Sequence, residues 1–237
     1  MLGLEEKVIL VTGGSRGIGA ATVSLLEQLG AKVAYNDRAG LEQRGSLALQ
    51  FDVTDARGME EVVQRTEQEL GPIYGVVANA GITQDNLFPK LSTEQWNAVI
   101  DVNLTGVFNT VKPVVPLLYK RQSGAMVFIS SVVAEQGNIG QANYAASKAG
   151  LIGLAKTLAL EGARYGVRVN VVAPGFTETN MLKEVADHVK EKILETIPLR
   201  RFGKPEEIAW AVAYLLSPVA GGYITGTTLS VNGGRHT

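Results

Sequence analysis

Short apolar runs alternate with longer amphipathic segments along the whole chain. The runs Val8–Val11, Lys32–Tyr35, Leu47–Phe51, Gly75–Ala78, Met126–Ile129, Arg168–Val172 and Thr228–Val231 read as strands. The first six are nearly continuous in apolar residues, the pattern of strands buried on both faces of a parallel sheet. Helical stretches lie between them at Gly17–Leu29, Ala56–Leu70, Thr93–Leu118, Asn143–Arg164 and Pro205–Leu216. Pro113 and Pro116 predict a kink or a late restart in the third of these. Gly30, Gly71 and Gly166 stand where helices should stop. Strand and helix alternating through short joints predict an α/β fold. The expected form is one doubly wound parallel sheet of about seven strands with helices on both faces, residues 1–237 forming a single domain. Such sheets bind ligands beyond the carboxyl ends of their strands, so the chemistry is sought just after each strand.

Composition narrows the classes. Glycine accounts for 27 of 237 residues, against roughly 17 for an average chain of this length. The net charge is −1, with 22 basic and 23 acidic residues, which gives no basic face for nucleic acid. There is no cysteine, so disulfides, thiol catalysis and thiolate metal sites are excluded. His188 and His236 are the only histidines, and no metal site is expected. The opening MLGLEEKVILVT carries two acids before a short apolar run, unlike a signal or transit peptide. The uncharged stretch from Ile208 to Gly234 is broken by Pro218 and Gly221-Gly222, so no membrane span is expected. A cytoplasmic protein is the expectation.

After the first strand comes Thr12-Gly13-Gly14-Ser15-Arg16-Gly17-Ile18-Gly19, opening a helix. Such glycines let backbone approach a pyrophosphate, and the helix N-terminus offers free N–H groups. The alternative is a tight strand-to-helix turn. After the second strand comes Asn36-Asp37-Arg38. An acid there accepts from the ribose 2′-hydroxyl of NAD, and an arginine accommodates the 2′-phosphate of NADP. Arg38 with Arg16 against Asp37 favours NADP(H), with NAD(H) left open. Asp52 and Val53 follow the third strand, placed to touch an adenine or, for Asp52, to cap a helix. Asn79-Ala80-Gly81 follow the fourth, small enough for backbone contact with a cofactor. The fifth ends in Ser130-Ser131; Tyr144 and Lys148 follow at helical i, i+4 spacing. An ammonium beside a phenol lowers the phenol's pKa from about 10, which makes a general acid or base.

These motifs occur in strand order, and their conjunction resembles the short-chain dehydrogenases/reductases over essentially the whole chain. The resemblance rests on TGGSRGIG at Thr12–Gly19, ANAG at Ala78–Gly81 (the family more often has NNAG) and Asn103 in NLTG. It continues through SSVVAEQGNIGQANYAASKAG at Ser130–Gly150 and VNVVAPGF at Val169–Phe176. It implies a Rossmann fold and nicotinamide-dependent reduction of a carbonyl. Tyr144 would give the proton, and Lys148 would bind the nicotinamide ribose and depress the Tyr144 pKa. Ser131 would stabilise the developing oxyanion, and Asn103 would hold a water linking Lys148 to solvent. Gly13, Ser15, Arg16, Gly17, Ile18, Gly19, Asp37, Arg38, Asp52, Val53, Asn79, Ala80 and Gly81 would line the cofactor, with Pro174, Gly175 and Thr177 flanking the nicotinamide.

Within the family the chain looks most like 3-oxoacyl-thioester reductases, giving (R)-3-hydroxyacyl products. Segments Gly81–Asn109 and Ile197–Pro218 resemble both the acetoacetyl-CoA reductases of polyhydroxyalkanoate (polyhydroxybutyrate) synthesis and the 3-oxoacyl-[acyl-carrier-protein] reductases of fatty acid biosynthesis. The ending VNGGRHT looks more like the CoA branch. The two arginines with which the second branch docks its carrier match Gln122 and Tyr165, although Arg121 and Arg164 are adjacent. Acetoacetyl-CoA is therefore the favoured substrate and the carrier-protein thioester the alternative. Alcohol or sugar dehydrogenase and a non-catalytic nucleotide sensor are more distant readings. A substrate lid is expected around 176–197, with Met181, Leu182, Val185 and Ile193 on one face. The resemblance also implies a homotetramer, its faces including Val107, Val111, Val114 and Leu118, the helix from Asn143, and an uncharged tail from Gly221 to Gly234.

Overall fold

The computed structural model describes residues 2–38, 45–179 and 187–237. Seven strands form one sheet: β1 (Val8–Thr12), β2 (Lys32–Asp37), β3 (Leu47–Gln50), β4 (Ile73–Ala78), β5 (Gly124–Ile129), β6 (Val167–Pro174) and β7 (Thr228–Val231). Their order is β3-β2-β1-β4-β5-β6-β7, and every neighbouring pair is parallel. This is the doubly wound α/β sheet that the apolar runs predict.

Period two explains why the strands are apolar throughout. Val8 and Leu10 of β1 enter one core, while Ile9 and Val11 enter the other. On β5, Met126 and Phe128 face the first core, and Ala125, Val127 and Ile129 the second. The first core is covered by α2 (Ala56–Glu69), α4 (Gly106–Val111), α5 (Val115–Arg121) and α7 (Ala142–Ala163). The second is covered by α1 (Gly17–Gln28) and by the helix Pro205–Leu216, α9 in chain order. The remaining helices are α3 (Thr93–Ile100), α6 (Val133–Gln136) and α8 (Asp187–Glu195). Among the described residues no helix is long and apolar enough to cross a membrane, and no cluster of acids and histidines could hold a metal.

The helix expected over Thr93–Leu118 is divided three ways. A π-helical turn at Asp101–Thr105 separates α3 from α4, and a turn around Pro113 separates α4 from α5, with Pro116 in the first turn of α5. The proline break is the one foreseen; the π turn is not. Gly30, Gly71 and Gly166 follow helices at φ of 82°, 103° and 65°, the left-handed values that favour glycine.

The residues expected at a subunit interface are corrected. Val107, Val111, Val114 and Leu118 are all buried in the protomer's own core. Instead α4 exposes Phe108, and α7, the helix from Asn143, exposes Leu160. In the uncharged tail, a Cβ on Gly221 would sit 2.5 Å from the Tyr214 carbonyl oxygen and one on Gly222 2.4 Å from the Pro218 carbonyl oxygen.

One half-buried cation ties the last third of the sheet to its helix. The Arg168 guanidinium on β6 donates to the carbonyls of Leu215 (2.7 Å), Leu216 (3.1 Å), Ser217 (3.1 Å) and Ile224 (3.4 Å). It thus satisfies the open carbonyls at the end of α9, which no intrahelical donor reaches. Arg168→Met should cost about 3 kcal/mol and lower Tm by about 6–12 °C; an unchanged thermal unfolding curve would contradict this role.

Candidate functional site

The strand order reverses between β1 and β4, and the loops after these two strands meet there. Thr12, the last residue of β1, receives the N–H groups of Asn79 (3.0 Å) and Ala80 (3.2 Å) on its hydroxyl. The Asn79 amide returns two bonds, to the carbonyls of Thr12 and Gly13, both at 3.0 Å. The loops are held so close that a Cβ on Gly13 would lie 2.9 Å from the Ala80 Cα. Gly13 and Gly17 also have φ of 66° and 54°. The glycine loop leads into α1, whose N-cap residue Arg16 makes no side-chain capping bond. Its first N–H groups are therefore uncapped by side chains, and such donors favour an anion.

Two glycines also answer to a constraint within the chain. A Cβ on Gly19 would fall 2.0 Å from the Gly13 oxygen, and one on Gly175 would fall 2.7 Å from the Asn232 Cα. Both make room for the chain's own backbone. Ser15 donates its hydroxyl to Asp37 at 2.5 Å, joining the glycine loop to the end of β2. Arg16 and Arg38 are exposed, and neither forms an ion pair among the described residues. Ile18 packs against the second core.

Asp52 is not a helix cap. It accepts from the N–H (2.9 Å) and hydroxyl (2.8 Å) of Thr54, and the cap of α2 is Asp55, which accepts from the Arg57 N–H. Val53 is buried against Gly106, where a Cβ would be 2.6 Å away.

Beyond β5 lies a polar cluster built around a buried lysine. Lys148 is 3% exposed and donates from Nζ to the Ile129 carbonyl, the end of β5, at 2.7 Å. Ser130 donates to the Lys148 carbonyl at 2.8 Å. One helical turn earlier, Tyr144 places its ring centroid 5.8 Å from that Nζ. Its phenol lies near the Ser131 hydroxyl, which lowers its pKa and accepts from the Val133 N–H. Gly81 borders the same space: a Cβ there would be 3.3 Å from both Lys148 Nζ and Asn103 Oδ1.

Asn103 sits in the π turn and is fully buried. Its Oδ1 accepts from the Ile82 N–H (2.8 Å), while Nδ2 donates to the Ile82 carbonyl (3.0 Å) and to the Ser147 hydroxyl (3.1 Å). Ser147 in turn donates to the Tyr144 carbonyl at 2.8 Å. One chain of bonds thus runs from the loop after β4, through the π turn, to α7. Such turns often mark functional sites.

Several participants were not expected. Ser147 lies in the Tyr144–Lys148 segment itself but carries no spacing signal. Gln141, at the N-cap of α7, donates to Asp85 at 2.8 Å, and Asn143 donates to the carbonyls of Gln84 (3.0 Å) and Gln95 (3.2 Å). Only the folded chain brings these segments together. Pro174 lends its carbonyl to the Val132 N–H (2.9 Å), and the buried Thr177 donates to the Gly175 carbonyl (3.2 Å). Of the expected lid face, Met181, Leu182 and Val185 lie outside the described residues; Ile193 is half-buried on α8.

The electrostatics differ from expectation in one respect. Burial pushes the Tyr144 pKa above its ordinary 10, against the lowering contact of Ser131, and Asp85 adds to the rise. The protein by itself therefore keeps the phenol protonated at neutral pH rather than poised as a phenolate. Burial moves Lys148 the other way, from 10.5 down to about 8. The folded chain then binds fewer protons than the unfolded chain between those values. This group's penalty on stability is full below about pH 8 and is relieved as pH rises towards 10.5.

The family model described as enoyl-(acyl carrier protein) reductase matches residues 13–236. An acetoacetyl-CoA reductase of Synechocystis sp. is 57% identical over 240 residues, covering 100% of this chain and 99% of the relative. A 3-oxoacyl-[acyl-carrier-protein] reductase of Escherichia coli is 45% identical over 246 residues, 99% of each chain. An acetoacetyl-CoA reductase of Shinella zoogloeoides is 45% identical, over 97% of this chain and 98% of the relative.

The buried amine gives a direct measurement. In a sample with ε-carbon-labelled lysine, one resonance should titrate near pH 8, and Lys148→Met should remove it. If every lysine titrates near 10.5 or above, the buried placement of Nζ is wrong.

Proposed function

The chain belongs to the short-chain dehydrogenase/reductase family of oxidoreductases, and from that premise we propose that it reduces a 3-oxoacyl thioester to the (R)-3-hydroxyacyl thioester with NADP(H). The observation that carries this reading is the convergence of Tyr144, Ser131 and Lys148 at the carboxyl end of β5, beside the uncapped start of α1.

The cradle fits a dinucleotide: positive-φ glycines, free helix N–H groups and Asp37 at the end of β2 stand in the required order. Arg16 and Arg38, exposed on either side of the Ser15–Asp37 bond, favour a cofactor with a 2′-phosphate. Asn79, Ala80, Gly81, Pro174, Gly175 and Thr177 would shape the nicotinamide end, and Asp52 with Val53 the adenine end. When bound, the nicotinamide supplies hydride.

The chain's residues supply the rest. Tyr144 holds its proton because burial raises its pKa, and it passes that proton to the ketone oxygen as the carbon–oxygen double bond is reduced. Ser131 donates to the same oxygen, stabilising the charge that develops on it. The Lys148 ammonium offsets the charge left on the Tyr144 phenolate. Both donor hydrogens of Asn103 are spent on Ile82 and Ser147, so a water link from Lys148 to solvent would rest on main-chain atoms of the π turn.

Acetoacetyl-CoA is the favoured substrate. The positions expected to dock an acyl carrier protein hold Gln122 and Tyr165, and the neighbouring arginines are engaged. Arg121 forms a two-pronged ion pair with Glu67 and also donates to the Ile73 carbonyl (3.2 Å). Arg164 lies 4.7 Å over the Tyr165 ring, which stacks on Tyr119 at 4.2 Å. The higher identity to an acetoacetyl-CoA reductase supports the same preference.

Purified protein should oxidise NADPH faster than NADH with acetoacetyl-CoA, and acetoacetyl-carrier protein should be the poorer substrate. Tyr144→Phe should lower kcat by about 10³-fold while cofactor binding, read by fluorescence, stays near wild type; retained turnover would overturn the mechanism. The rate should be level below about pH 8 and fall above it as Lys148 loses its proton, and a rate that climbs through this range would contradict the role of Lys148.

A further inference from the structure

We propose that Arg235 binds the phosphate of a pantetheine arm; this deepens the thioester reading above and rests on it. Arg235 lies in the short tail beyond β7, yet that tail is folded tightly onto the chain. The Asn232 side chain accepts from the Gly234 N–H (2.9 Å) and donates to the His236 carbonyl (2.9 Å). Gly233 and Gly234 turn at φ of 66° and 84°, and the Gly233 carbonyl accepts from the Leu199 N–H at 3.1 Å. A Cβ on Gly233 would press within 2.9 Å of Ile197, and one on Gly234 within 3.1 Å of Pro198. Part of the glycine surplus is spent on fixing the direction in which Arg235 points.

The guanidinium is pinned but not neutralised. It lies 5.1 Å over the Phe176 ring, and Nη1 donates to the neutral Thr196 hydroxyl. Its Nε is buried with no hydrogen-bond partner, and among the described residues no carboxylate pairs with it. The nearby acid Glu135 accepts instead from the Ser230 hydroxyl at 3.2 Å. A buried N–H without an acceptor is costly, so a shift of the guanidinium towards a ligand oxygen would relieve that cost.

The place of this cation ties it to the reacting end of the sheet. Arg235 borders a shallow, open stretch of surface with Gln136, Gly137, Asn138 and Ile139. That segment continues directly from Ser131 through α6, and Phe176 follows Pro174 at the end of the adjacent β6. This surface therefore lies on the same side of the sheet as the Tyr144–Ser131 cluster and a few residues away from it along the chain, as a substrate's distal arm requires, with the amides of Gln136 and Asn138 and the exposed Ile139 around it. A 3-oxoacyl group is neutral, so the only anions on the proposed substrate are phosphates at the far end of its pantetheine arm. A planar guanidinium with unused donors matches phosphate oxygens. The same phosphate occurs in CoA and on an acyl carrier protein, and the two sources are separated by experiment.

Arg235→Met keeps the stem against Phe176 and removes the charge. Isothermal titration with 4′-phosphopantetheine and with pantetheine should show wild type preferring the phosphorylated form by about tenfold, and Arg235→Met binding both alike. In steady state, Arg235→Met should raise KM about tenfold for the phosphate-bearing thioester. Its kcat should not change, nor should its KM for acetoacetyl-N-acetylcysteamine thioester, which has no phosphate; Arg235→Lys should recover part of the loss. A KM effect confined to acetoacetyl-CoA assigns the site to CoA, and one confined to acetoacetyl-carrier protein assigns it to the carrier. Equal binding of the two pantetheines by wild type, or an equal KM rise with the phosphate-free thioester, overturns the proposal. Wild type that reduces no thioester sinks the functional reading, and the titration still decides the fate of Arg235.

Discussion

A primary amine removed from water sets the geometry around which the site is arranged. Lys148 is nearly inaccessible and has one strong protein acceptor, the carbonyl that ends β5. Burying such a group is unfavourable unless its bonds are met, and its depressed pKa of about 8 records that cost. The contact fixes the height of α7 against the sheet. Once Lys148 reaches Ile129, the residue one turn earlier must stand beside the end of β5, where Ser131 waits. Tyr144 occupies that position. Its raised pKa and the lowered pKa of Lys148 share one cause, the loss of solvent.

The second constraint is close approach of backbone at the strand-order switch. Thr12 and Asn79 lace the loops after β1 and β4 together. That approach leaves no space for side chains at Gly13 and Gly19, and it keeps the start of α1 open rather than capped. The two constraints meet near Gly81, which lies one residue beyond Ala80 and borders Lys148 and Asn103. The π turn that holds Asn103 links the loop after β4 to the helix bearing Tyr144. The loops at the strand-order switch and the cluster of Tyr144, Ser147 and Lys148 are thus one connected set of bonds.

Most of the architecture was legible in the chain. Seven apolar runs became seven strands with no end shifted by more than two residues, because parallel strands buried on both faces must be apolar throughout. Pro205–Leu216 formed as expected, its proline in the first turn. The misreadings share one physical origin. Val107, Val111, Val114 and Leu118 look like an interface stripe in a helical projection, but a stripe does not say which neighbour covers it, and here the sheet does. Asp52 resembles a cap by position, yet Asp55 is the residue at the correct distance from the first free N–H of α2. Gly19 and Gly175 carry a further constraint that no local reading shows, because the backbone atoms their missing side chains would strike, those of Gly13 and Asn232, are brought close only by the fold.

Local sequence therefore determined the elements, their alternation, and the short motifs that follow the strands. Periodicity, glycine, proline and i, i+4 spacing act within a few residues, so they can be read without knowing the fold. Tertiary structure alone decided the protonation balance at Tyr144, the π turn beneath Asn103, the engagement of Arg121 by Glu67, and the unpaired guanidinium of Arg235. Each depends on solvent exclusion or on partners tens of residues distant, and neither is encoded in any one segment. The tail after β7 shows the division well: its glycines announce a turn, but only packing against Ile197, Pro198 and Phe176 decides where the arginine at its end is held.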